Sequence, residues 1–97
     1  MHAPLSEAEL KAFLSSYPGW AVQDGMLVRT FEASSFLSGV AFVQKVAHAA
    51  EAADHHPDID IRWRKVTLRL VTHDAGNTIT ALDAQLAAGA SRLFNGH

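Results

Sequence analysis

Apolar positions along the chain alternate between helical and strand spacing. Ser6-Glu7-Ala8-Glu9 reads as a serine N-cap answered by a glutamate at the third helical position. Leu10, Phe13 and Leu14 follow at helical intervals, and Tyr17-Pro18-Gly19 stops the segment. Two strand-like runs, 20–23 and 26–32, flank Asp24-Gly25, a dipeptide suited to a two-residue type I′ turn. A long helical pattern then covers 35–54, about 30 Å at ~1.5 Å per residue. Phe36, Val40, Val43, Ala47 and Ala50 form one stripe on it, and Phe42, Val46, Ala49 and Ala53 a second beside the first. Gln44, Lys45, His48, Glu51 and His55 share the remaining face. That apolar arc is wider than packing on a single sheet requires. The small residues of the second stripe permit close approach of a partner helix, so an oligomer contact and a deeply buried core helix both fit.

Pro57 ends the long helix. Ile59, Ile61 and Trp63 alternate, as do Val66, Leu68 and Leu70, which predicts a second hairpin with a tight connection near Arg64-Lys65. Thr80-Ala81-Leu82-Asp83 is another capping-box pattern, with Asp83 as the cap of a last helix running through Leu86, Ala90, Leu93 and Phe94 to Asn95-Gly96. The predicted fold is α+β, in the order α-β-β-α-β-β-α: one domain over 1–97, with a four-stranded antiparallel sheet and helices packed on one face. Neither a parallel sheet nor a phosphate-binding glycine loop is supported.

Composition narrows the function. With 48% of its 97 residues apolar, the chain can build a core without staples. A formal charge of −2 leaves no basic excess for nucleic acid. The absence of cysteine excludes disulfides, thiol nucleophiles and cysteinyl zinc sites, and fits a cytoplasmic location. The first residues lack the basic-then-apolar order of a signal peptide, and no apolar run reaches the ~20 residues that span a bilayer.

Chemistry near neutral pH then falls to histidine, the side chain whose unperturbed pKa lies between ~5 and ~8. His55-His56 stands at the predicted end of the long helix and His73 at the predicted end of a strand. Paired residues of an antiparallel hairpin have a constant index sum. A turn centred between Arg64 and Lys65 sets position 56 opposite position 73, with His55 alongside and Glu51 one helical turn before His55. Three imidazoles and a carboxylate are therefore expected at one sheet edge. His2, His48 and His97 read as solvated or hydrogen-bonded histidines, and Asp54, Asp58 and Asp60 as a solvated charge cluster beside the site.

The pattern Glu51-x3-His55-His56-Pro57, with Trp63, then Thr72-His73, then Asp83, resembles the signature of the pterin-4a-carbinolamine dehydratase family. The Gly19-Trp20 pair, the 42–47 segment and Leu86-Ala87 extend the resemblance over nearly the whole chain. The stretch between His73 and Asp83 is one residue longer than the commonest spacing. The resemblance implies loss of water from 4a-hydroxytetrahydropterin, a by-product of aromatic amino-acid hydroxylation by enzymes such as phenylalanine hydroxylase, with no cofactor and no metal. It implies His55 and His73 as general acids and His56 as a residue that orients the ring. Glu51 is implied either to hold His55 or to help accept the nitrogen proton. Pro57 and the backbone of Thr72, His73, Asp74 and Ala75 are implied to line the pterin pocket, with Trp63 as a core or pocket-wall residue. It also implies a homodimer or homotetramer assembled through the second helix and the sheet edge. Two rival expectations remain. One is a metal-binding module using His55, His56, His73 and Glu51 or Asp54; the other is a non-catalytic interaction module on the same fold.

Overall fold

Leu27, Phe31, Val66, Leu68 and Leu70 from two neighbouring strands meet Phe42 and Val46 from the long helix, none more than 1% exposed. The computed structural model in which they meet describes residues 2–97; Met1 lies outside the described residues. The elements are α1 (Glu7–Ser16), β1 (Ala21–Gln23), β2 (Met26–Glu32), α2 (Phe36–Ala53), β3 (Asp58–Arg62), β4 (Lys65–Leu70) and α3 (Ala81–Leu93), with a single 3₁₀ turn at His73–Ala75. The strands form one antiparallel sheet in the order β1-β2-β4-β3, so the expected α+β architecture is present.

Local chemistry sets the boundaries. Ser6 and Glu9 close the capping box of α1, and the Ser6 backbone N–H holds the Glu9 carboxyl below its usual pKa. Asp24 and Gly25 both take positive φ, 53° and 77°, as a type I′ turn demands. Gly19 is a close approach: a Cβ there would lie 2.6 Å from the guanidinium carbon of Arg29. That guanidinium stacks on Phe31 at 4.2 Å and donates to Ser91 Oγ, as Trp20 Nε1 also does.

Inward residues of β2 and β4 pack against α2 and α3 on one face of the sheet. Phe31, Phe42 and Phe94 form the centre, with ring centroids 4.8–5.0 Å apart. Of the two apolar stripes on α2, the one containing Phe42 and Val46 faces the core. The other stays partly open, and Phe36 and Leu37 are exposed.

The second hairpin departs from expectation. Arg62 pairs with Lys65, so the turn is Trp63-Arg64 and the strands sit two positions away from the register inferred above. In this register β3 residues carry an index sum of 127, which directs position 56 toward 71 instead of 73. Trp63 supplies the left-handed residue of the turn at φ 53°, a role usually signalled by glycine or asparagine. Ile61 opposite Val66 keeps the apolar residues on the core face.

Truncating the centre of the core tests this packing. Phe42→Ala should lower unfolding free energy by about 3–5 kcal/mol, measured by urea titration. A loss below about 1 kcal/mol would contradict it.

Candidate active site

The open end of the second hairpin gathers the end of α2, the start of β3, the end of β4 and the start of α3. The end of α2 explains the different fates of the two adjacent histidines. Asp54 adopts a left-handed conformation, φ 48°, and His55 N–H reaches back to the Ala50 carbonyl at 3.1 Å, a Schellman closure. The reversal turns His55 into the body of the protein, where it is 9% exposed, and leaves His56 outside. Pro57 then imposes extended backbone leading into β3.

Asp83 is fully buried and receives His55. His55 Nε2 lies 2.5 Å from Asp83 Oδ1. The other oxygen accepts from Thr72 Oγ1 and from the Thr80 backbone N–H, each at 2.8 Å. Thr72 Oγ1 spends its proton on Asp83, so the 2.7 Å contact between the two threonine hydroxyls has Thr80 as donor. Because Asp83 accepts at Nε2, the neutral ring of His55 carries its proton there, and among the described residues Nδ1 has no hydrogen-bond partner. Asp83 caps α3 as expected. Its second task, holding His55, was not anticipated, although its burial beside a histidine-bearing turn is the feature that discloses it.

The other two imidazoles have separate partners. His56 Nε2 meets Glu51 Oε2 at 2.5 Å with both groups exposed, so Glu51 pairs with His56 and not with His55. An exposed pair of this kind contributes little to stability. His73 opens the 3₁₀ turn, and its Nδ1 contacts Asn77 Oδ1 at 2.7 Å. Gly76 and Asn77 at φ 79° and 59° curl the loop back to make that contact.

His55, His56, Thr72, His73 and Asp74 line one cleft of about 450 Å³. Residues 55–56 and 72–74 therefore do converge, through the helix reversal and the 3₁₀ turn instead of a direct cross-strand pair. Ala53, Asp54, Leu82 and His2 complete the lining, and of these the sequence sets only Asp54 near the site. Ala75 borders an adjoining cleft, and Pro57 immediately precedes β3. Trp63 is not brought to the histidines: it is 72% exposed in the turn at the closed end of the hairpin, because that turn and not the strand claims it. A groove of similar volume along α1 is lined by Glu7, Leu10, Lys11 and Leu14 and contains no imidazole. Among the described residues no group of three or more histidines and carboxylates is arranged to hold a metal ion.

A family model described as pterin 4 alpha carbinolamine dehydratase matches residues 3–93. The chain belongs to that family. A Roseiflexus castenholzii protein assigned as a pterin-4-alpha-carbinolamine dehydratase is 54% identical over 88 residues, covering 91% of this chain and 94% of its own. A crystal structure from Brucella melitensis, described as a transcriptional coactivator/pterin dehydratase, superposes with a TM-score of 0.89 at 28% identity, over 96% of this chain and all of that one. A pterin dehydratase-like RuBisCO assembly factor of the alpha-carboxysome shares the fold, with a TM-score of 0.64 at 22% identity over 80% of this chain and 89% of its own. No helix is long and apolar enough to cross a membrane among the described residues.

The His55–Asp83 contact makes a spectroscopic prediction. Above the imidazolium range, the ¹⁵N shifts of His55 should report a proton on Nε2. A ring protonated mainly on Nδ1 would contradict the assignment.

Proposed function

We propose that this protein dehydrates 4a-hydroxytetrahydropterin to quinonoid dihydropterin with its histidines as acid–base groups, a hydro-lyase reaction. The observation that carries the reading is that His55, His56 and His73 border one cleft in a chain of this family.

The reaction requires two proton movements. The hydroxyl on C4a leaves as water when an imidazolium protonates it. The lone pair of N5 forms the new C4a–N5 double bond, and the N5 proton passes to a base. No electron is gained or lost, and general acid–base groups suffice, each worth roughly 10²–10⁴-fold. His55 and His73 act as the acids. Asp83 serves as a positioning residue for His55, holding Nε2 and presenting Nδ1. His56 orients the ring, and Glu51, through His56, is placed to receive the second proton. Thr72 and Asp74 line the pocket, with Ala75 in the adjoining cleft and Pro57 just before β3. Trp63 has no part in this reading within one chain.

The substrate class points to a tetrahydropterin-dependent aromatic hydroxylase, such as phenylalanine hydroxylase, as the upstream reaction, in the cytoplasm. Assembly into a dimer or tetramer through α2 and the sheet edge belongs to the same reading. It is supported by exposed Phe36 and Leu37 on α2 and by Ile59 on the edge strand β3.

The test is the decay of 4a-hydroxytetrahydropterin with and without protein. Wild-type protein should accelerate it, and a His55→Ala, His73→Ala double variant should lose at least about 10²-fold. Full turnover by a folded double variant would contradict the mechanism.

A further inference from the structure

The N-terminal segment is pinned across the site. Pro4 bridges Thr80, and Leu5 N–H donates to the Ile79 carbonyl at 2.9 Å. Thr80 is the residue whose backbone N–H and hydroxyl serve the Asp83 network, so the strap is tied to the scaffold that holds His55. The tie carries His2 to the rim of the histidine cleft. A second cleft of about 410 Å³ is lined by His2, Ala3, Pro4, Asp74 and Ala75. His2 and Asp74 line both clefts, so the histidine lobe and this second lobe adjoin at those residues. The first lobe is rich in imidazole. The second has apolar walls from Ala3, Pro4 and Ala75 and polar groups only where it joins the first.

Substrate chemistry gives that second lobe an occupant. In a pterin the reacting C4a is bonded to N5, and N5 to C6. Whatever C6 carries therefore starts two bonds from the atom that loses its hydroxyl and must leave the ring beside the acid groups. We infer that the lobe walled by the N-terminal strap receives the C6 substituent of the pterin. His2 and Asp74 hydrogen-bond the hydroxyls of a short polyol chain, and Ala75 leaves room for its carbons. The inference rests on the dehydratase reading and adds a specificity element to it. His2 thus changes from a solvated terminal residue to a substrate contact.

The experiment compares two 4a-hydroxytetrahydropterins, one with a methyl group at C6 and one with a dihydroxypropyl chain, on wild-type protein, His2→Ala and Ala75→Leu. His2 is exposed, so its truncation leaves the core untouched. His2→Ala should raise KM for the dihydroxypropyl substrate about 3- to 10-fold more than KM for the methyl substrate, the loss of one hydrogen bond. Ala75→Leu should shift the same ratio in the same direction by filling the lobe. Equal effects on both substrates, or no effect on either, would overturn the assignment of the lobe while leaving the dehydratase reading in place. Failure of wild-type protein to accelerate either substrate would overturn the dehydratase reading, and the inference with it.

Discussion

A buried carboxylate with no exposure ties the functional end of this fold together. Asp83 accepts from a helix-terminal imidazole, a post-strand hydroxyl and the first turn of its own helix. Leaving such a group unpaired in the interior costs several kcal/mol, so each donor is strongly selected once the others are in place. The consequence is geometric. The end of α2, the segment after β4 and the start of α3 are held at fixed mutual positions by one side chain. The apolar core sets how the sheet and helices stack; the Asp83 network sets how their ends meet. The N-terminal strap joins the same network through Thr80.

On the proposed reading this arrangement divides the labour among three similar rings. His55 is buried, oriented and backed by a carboxylate, and offers a single nitrogen. His56 and His73 are exposed and held by single partners, Glu51 and Asn77, near the surface. A flat heterocycle in the shared cleft would meet one rigid imidazole and two adaptable ones. The rigid one is suited to proton transfer at a fixed atom, since acid–base catalysis depends on placement before it depends on acidity.

Much of the fold was legible because local signals agreed with one another. Ser6 with Glu9, Asp24-Gly25, Pro57 and Thr80 with Asp83 each mark a boundary by a mechanism that operates within a few residues. The second hairpin was misjudged for the converse reason. Trp63 enters the left-handed region without the glycine or asparagine that would announce it, and its place in the alternating pattern made it look like a strand residue. The histidine cluster was foreseen by way of that register, yet it forms by another route. A Schellman reversal at Asp54 and a 3₁₀ turn at His73 bring the rings together, and neither leaves a periodic trace. Asp83 was readable as a cap but not as the partner of His55, because a capping aspartate uses one oxygen and the sequence is silent about the other. His2 reaches the site through a bridge at Pro4 that no pattern announces.

The most direct test of this architecture is kcat for an Asp83→Asn variant shown to be folded by circular dichroism. The amide keeps the size of the side chain and removes its charge. A hydrogen bond to a charged group is worth about 1.5–3 kcal/mol, which the proposed positioning role converts into a fall in kcat of about 10- to 150-fold, with KM little changed. A folded variant that turns over at the wild-type rate would contradict it.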